Sequence, residues 1–379
     1  MPRRRTIFQA VAVALVLGVL EASSALTTGL LVRRGWMASI PTFSHSQVAY
    51  YLANRNPSLG WGPAVDADGR VTRLSPREDP GFTATAPACV SAYGDSFTAG
   101  SEVENDRTYP HDLGIGLGCR VANYGVHGYG SDQSVMLFRA QRHLDTAPVV
   151  VLGHVSENVL RNVNQYRQLL YPGQGEELAF KPSFTVQDGE LRQRPVPVNS
   201  EADVEAFERD PDVFLPFDAF RSRPLRSFPY SFALARWLLA DFHVRARLLD
   251  VPRHATFYSP DHPSHAFALT VTILRAFASE ASGEGRRPIV LLIPVAHDFL
   301  YFRKTGIWVD QPVADALRRS GLTVVHAGPL MVNRLRSSDP CVVFGNCSAH
   351  FNARGYQLLA DVVNEALQQD WPPTPVKAN

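Results

Sequence analysis

The chain has 379 residues, 45% hydrophobic and 19% charged, which is enough apolar content for one large α/β domain or two modest ones and excludes general disorder. The charges nearly cancel, 37 basic against 36 acidic, and no basic block stands out beyond the N-terminus, which argues against a nucleic-acid partner. With 28 prolines, 26 glycines and no internal period, a coiled coil or helical repeat array is ruled out.

Arg3, Arg4 and Arg5 precede an apolar run from Ile7 to Leu20; Glu21 interrupts it, and a softer run from Ala22 to Val32 ends at Arg33 and Arg34. Two readings stay open for residues 1–35. One is a signal peptide, with Ser23-Ser24-Ala25 as a small-residue exit and the rest secreted. The other, taken first, is a retained single-pass anchor with its N-terminus inside, Glu21 being tolerable if protonated or near the outer boundary. Both put residues 36–379 outside the cytoplasm, in the periplasm or its equivalent.

Residues 36–86 are polar and rich in proline, glycine and aspartate apart from Val48 to Leu52, and read as an extracytoplasmic stalk or lead-in. From Cys89 onward strands and helices alternate. Strands are expected at 88–93, 120–124, 148–153, 288–295 and 323–327. Helices are expected near 107–117, 131–144, 232–243, 264–280, 311–320 and 353–368. The runs 148–152 and 289–293 are continuously apolar, as in strands covered on both faces. This alternation predicts an α/β domain over 87–370 with a central parallel sheet. Residues 171–262 break the rhythm and read as an inserted cap region; 371–379 form a tail.

The four cysteines fit an oxidising compartment. Cys89 and Cys119 each sit just before a strand, at the same end of the sheet if those strands are parallel neighbours, so a Cys89–Cys119 disulfide is expected. Cys341 and Cys347 would close a loop. No cysteine–histidine spacing suggests a metal, and none of the chemistry below needs a metal or cofactor.

In open parallel sheets, sites form outside the carboxyl ends of the strands. Gly94-Asp95-Ser96-Phe97-Thr98 follows the first strand, Gly125 the second, and Ser156-Glu157-Asn158 the third; His350 lies just before the last helix. A serine hydroxyl needs a base within reach to act as a nucleophile, and the His350 imidazole can take and return its proton. The backbone N–H groups of Ser96 and Gly125 and the Asn158 amide could stabilise the oxyanion of a tetrahedral intermediate. Each residue alone has a plainer role in a turn or helix cap. Their order and their placement at strand ends carry the case.

On these blocks the chain resembles the SGNH hydrolases, also called GDSL esterases/lipases, over roughly 86–370. The strings Tyr93-Gly-Asp-Ser-Phe-Thr98 and Gly125-Val-His-Gly-Tyr-Gly130, with Asn56-Pro-Ser-Leu-Gly-Trp61 as lead-in, resemble its membrane-anchored, extracytoplasmic branch. The resemblance implies a flavodoxin-like, three-layer α/β/α sandwich and ester hydrolysis. It implies Ser96 as nucleophile, His350 as base, and Ser96, Gly125 and Asn158 as the oxyanion hole. The chain departs from the pattern twice. The aspartate usual three residues before the histidine is Cys347, leaving Asn346, a backbone carbonyl or the distant Asp339 to orient the imidazole. And Ser156-Glu157-Asn158 stands where Gly-x-Asn-Asp is usual. His127, His154 and His262 are candidate substrate contacts. The expected function is an extracytoplasmic serine esterase acting on an acyl ester, an O-acetyl group on a cell-envelope glycan being one candidate. The alternatives are an O-acyltransferase with the same residues and a catalytically inactive envelope binding module.

Overall fold

The computed structural model describes residues 2–368 except 41, 176, 336, 338 and 348; the expected tail 371–379 lies outside them. The chain divides into two compact units: residues 1–54, 164–180 and 198–253 form one, and residues 55–163, 181–197 and 254–379 form the other.

The second, larger unit contains strands β1 (Ala88–Gly94), β2 (Arg120–Gly125), β3 (Val149–Val155), β4 (Ser183–Gln187), β5 (Glu190–Arg194), β6 (Arg287–Ile293) and β7 (Val324–His326). Five of them form a parallel sheet in the order β2-β1-β3-β6-β7, while β4 and β5 pair as a separate antiparallel hairpin. All five expected strands are present. On one face Val90, Val121, Val151, Ile289 and Leu291 pack against helices Tyr109–Leu117, Ala327–Arg334 and Ala353–Gln368. On the other, Tyr93 meets Phe138 of helix Ser131–Gln141, and Phe138 meets Phe277 of helix Ala266–Gly283. Alternate side chains of each strand thus enter opposite layers, giving the expected α/β/α sandwich. The strand order reverses between β1 and β3, where the loops of such sheets diverge.

Both expected disulfides are present, Cys89–Cys119 with Cα atoms 6.1 Å apart and Cys341–Cys347 with Cα atoms 4.9 Å apart. The first joins the amino ends of β1 and β2, which are hydrogen-bonded neighbours.

The reading of 36–86 as a stalk is corrected. Residues 45–54 are helical and belong to the first unit, where Tyr51 meets Phe180. Residues 55–86 dock on the sheet unit: the Arg77 N–H donates to the Asn123 carbonyl at the β2 edge, and the Leu59 carbonyl accepts from Gln133 Nε2 at 2.8 Å. Backbone groups there find partners in the sheet unit, so polar composition did not mean a free spacer. The expected insertion 171–262 also divides. Residues 181–197 form the hairpin of the sheet unit. Residues 164–180 and 198–253 join the first unit, with buried Tyr166 stacked on Phe180, Phe207 edge-on to both, and Asp218 accepting the backbone N–H groups of Gln165 and Tyr166.

Candidate active site

Ser96 opens the short helix Ser96–Ala99 directly after β1. Asp95 caps it, its carboxylate accepting the Phe97 N–H at 2.9 Å, and Gly100 ends it in the left-handed region at φ 79°. Asp95 is fully buried and paired with Arg161 Nη1 at 2.8 Å. Burial pushes its pKa up, and the Arg161 charge and the Phe97 N–H partly offset that. The pair pins the turn that carries Ser96 to the helix after β3, a structural role for Asp95.

His350 reaches Ser96 from the far end of the sequence, with Nε2 2.8 Å from the Ser96 hydroxyl. The loop that delivers it is tied down locally. Cys341–Cys347 closes it, Phe344 and Phe351 bridge as antiparallel neighbours and stack, and Asn352 Nδ2 donates to the carbonyls of Val342 and Phe344. Phe97 packs on the imidazole at 4.8 Å between ring centres.

The carboxylate beside the imidazole is that of Glu102. Its carboxylate stands 3.0 Å from His350 Nδ1. With the proton on Nδ1, that nitrogen donates to Glu102 and Nε2 accepts from Ser96, so one tautomer satisfies both bonds. Asn346, expected as the orienter, is not the partner of Nδ1; its carbonyl accepts the Ala349 N–H within the loop. The acid comes from the loop after the nucleophile helix, not from the histidine's loop. A carboxylate on the serine's own loop, six positions on, leaves no spacing signal beside the histidine.

That loop is held by Arg77. Its Nε donates to Asn105 at 2.7 Å, Nη1 to the carbonyls of Ala99 and Gly100, and Nη2 to Val103 at 2.7 Å. A planar fork reaching several carbonyls fixes a turn in a way a lysine cannot. Glu102 itself has φ 68°, a left-handed conformation unusual for glutamate. The clamp on both sides holds it there. The chain from 99 to 103 also lines a cleft of about 570 Å³, together with Ser75, Pro76, Arg77, Gly125 and His127.

Gly125 ends β2 against the nucleophile helix. A Cβ added there would lie 2.1 Å from the Ala99 nitrogen, so only glycine allows this approach. Its N–H, however, donates to the Asn123 side chain at 3.0 Å, so as an oxyanion donor it would have to be shared. Asn158 is fully buried at the start of helix Asn158–Arg161. It adjoins Asp95 closely enough to lower that carboxyl's pKa, yet neither of its amide atoms has a hydrogen bond of good geometry.

The three candidate substrate histidines separate. His127 faces the cleft, with Nδ1 2.7 Å from the Ser101 hydroxyl, and burial and the nearby His350 charge lower its pKa. His154 is corrected to a structural residue: it is fully buried between Ser131 at 2.7 Å and Tyr258 at 3.2 Å, out of reach of any substrate. His262 makes a local turn with Ser264 at 2.7 Å, lies on the Phe257 ring and does not line the cleft. Asp298, in the helix after β6, is also buried, bonded to Ser156 and to His254 at 2.7 Å.

Burial lowers the His154 pKa to about 4 against an ordinary 6.5. The folded chain therefore keeps this ring neutral while the unfolded chain takes up a proton below pH 6.5. The corresponding stability is complete above pH 6.5 and lost as pH falls from there toward 4, a loss on the order of 3 kcal/mol. Thermal melts at pH 7 and about pH 4.5 should show a smaller fall in Tm for His154→Gln than for the parent protein.

No protein-family profile matches this chain, and no curated protein does. Among solved structures it is similar to a member of the lipolytic protein G-D-S-L family from Veillonella parvula DSM 2008, at 12% identity over 74% of this chain and 98% of that one, with a TM-score of 0.36. It is also similar to a GDSL-like lipase from Bacteroides thetaiotaomicron VPI-5482, at 11% identity over 74% and 87% with a TM-score of 0.35. A third similar structure is a catalytic mutant of an acetylxylan esterase from Geobacillus stearothermophilus, at 11% identity over 75% and 95% with a TM-score of 0.37. What the site can do rests on its own side chains: a hydroxyl, an imidazole and a carboxylate in one hydrogen-bonded line, beside a buried amide and an open polar cleft.

Proposed function

We propose that the chain is a membrane-anchored, extracytoplasmic serine esterase that acts on a hydrophilic acyl ester. The observation that carries this reading is the continuous line Ser96 Oγ–His350 Nε2, His350 Nδ1–Glu102, at 2.8 and 3.0 Å. His350 takes the Ser96 proton as the hydroxyl oxygen attacks the ester carbonyl. The Glu102 carboxylate stabilises the imidazolium that forms. The Asn158 amide and the Ser96 N–H receive the oxyanion, joined by the Gly125 N–H when Asn123 releases it. Collapse expels the alcohol, protonated by His350, and leaves acyl-Ser96. Water, activated by the same imidazole, then releases the acid.

The cleft beside the Glu102 loop does not include Ser96 or His350 in its lining, but Ser75, Ser101 and His127 make it polar, which favours a sugar-borne acyl group over a lipid chain. An O-acetyl group on an envelope glycan fits that lining and the extracytoplasmic setting, which the disulfides support. An intact serine–histidine–carboxylate line gives no support to the inactive binding module.

Treatment with a fluorophosphonate should add one phosphonyl group, on the tryptic peptide holding Ser96. Adduct on other residues only would refute the assignment. Replacing water with a glycan acceptor during turnover of an acetyl ester then separates hydrolysis from acyl transfer by product.

Arg77→Ala is expected to lower kcat about tenfold with a smaller change in KM, because it frees the loop that holds Glu102 rather than removing a reacting group. Arg77→Lys should recover little, since one ammonium cannot reach the same set of carbonyls. Steady-state kinetics on p-nitrophenyl acetate decides this.

A further inference from the structure

The unit that carries the N-terminal helix also presents apolar surface that the proposed chemistry does not use. Helix Pro2–Arg33 is long and apolar enough over Arg5–Arg33 to cross a bilayer. In its outer half, Glu21, Ser24, Ala25, Thr28 and Val32 fall three or four positions apart on one side, with Ser24 and Thr28 buried. The helix packs on a second one, Tyr230–Ala240. Small residues on a helix side allow such close approach.

Both ends of this pair are pinned. The Glu21 carboxylate accepts the backbone N–H groups of Tyr230 and, at 3.1 Å, Ser231, donors that a helix start otherwise leaves unpaired. At the other end Met37, Ala233 and Trp237 bury against Leu31, Val32 and Val244, and Trp237 Nε1 donates to the Trp36 carbonyl at 3.1 Å. The acidic residue that interrupts the apolar run thus holds a second helix against the first.

The other side of that second helix is bare. Phe228 is 75% exposed, Phe232 63% and Leu239 81%; in the following helix Phe242–Leu249, Leu248 is 78% exposed. Leu238 and Leu249 add to the patch, and Arg236, Arg245 and Arg247 stand exposed among them. A soluble surface rarely gathers so many large apolar side chains. Apolar side chains interleaved with arginines suit the boundary between acyl chains and headgroups.

We infer that residues 228–249 lie in the outer leaflet of the bilayer that holds the N-terminal helix, with acyl chains against Phe228, Phe232, Leu238, Leu239 and Leu248 and lipid phosphates against the three arginines. Leu26 and Leu30 of the anchor are exposed as well. A second copy of the chain on this face would set arginine against arginine, whereas anionic lipid pairs with them. The inference rests on the anchor reading of Pro2–Arg33. It also favours retention of that helix over cleavage at Ser23-Ser24-Ala25, since cleavage would strip Glu21 from the second helix.

The test uses the full-length protein in phosphatidylcholine–phosphatidylglycerol vesicles, kept oxidised so that the native cysteines do not react. Phe232→Cys, Leu239→Cys, Leu248→Cys, Leu15→Cys and the exposed control Glu205→Cys are each labelled with the fluorophore NBD. Positions 232, 239 and 248 should lose about half their emission or more to nitroxide-labelled lipids and little to aqueous iodide, with position 205 the reverse. If position 15 escapes lipid quenching, the anchor reading itself fails. If position 15 is quenched by lipid while 232, 239 and 248 follow iodide, the outer-leaflet inference alone is overturned. If those three answer to neither quencher, protein covers the patch, which also overturns it in favour of a second copy.

Discussion

Ser96→Ala is expected to cut turnover of p-nitrophenyl acetate by about 10⁴-fold or more, with His350→Ala falling to a similar level. The two losses should not multiply in the double variant, because hydroxyl and imidazole act as one unit across their 2.8 Å contact. Both variants should fold normally. Ser96 begins a helix whose cap is the Asp95 side chain and the Phe97 N–H, and neither substitution touches that bond. If Ser96→Ala keeps the parent's kcat/KM, the nucleophile lies elsewhere and the proposed function falls with it.

The second large effect belongs to Glu102. Glu102→Gln keeps the side-chain shape and an oxygen for the Nδ1 proton but removes the charge that steadies the imidazolium. The expected loss in kcat is about 10²–10⁴-fold, with little change in KM. Asn346→Ala, by contrast, should stay within about threefold of the parent, since Asn346 is not the Nδ1 partner. Equal losses in the two variants, or none in Glu102→Gln, would return the orienting role to the histidine's own loop. Kinetics on the same ester with all three proteins decides between them. The acid's half-exposed position, at 51% of its side chain, limits its effect on stability, so melting temperatures should barely move.

Much of the fold was legible because parallel α/β units obey local rules. Continuous apolar runs at 148–152 and 289–293 read as strands covered on both sides, and they became β3 and β6. Once β1 and β2 were read as parallel neighbours, Cys89 and Cys119 had to fall at one end. What misled was composition. The prolines and charges of 171–262 looked like one inserted cap, but 181–197 joined the sheet unit as a hairpin and most of the rest joined the unit of the N-terminal helix. Residues 55–86 looked like a tether, yet Arg77 there clamps the loop that carries Glu102. His154, expected near substrate, faces inward from the completely buried β3.

By itself the sequence placed Ser96, Gly125 and Asn158 just after strands and His350 just before the last helix, and His350 Nε2 stands 2.8 Å from the Ser96 hydroxyl. Parallel strands send all their carboxyl ends the same way, and each of these residues follows a strand or precedes the last helix. Which carboxylate would meet the imidazole was decided only in three dimensions. Glu102 is close to His350 because a left-handed turn, held open by an arginine from a distant segment, swings it there. Periodicity speaks for residues within a turn or a strand. The path of a loop is set by the partners that catch it, and those can lie anywhere in the chain.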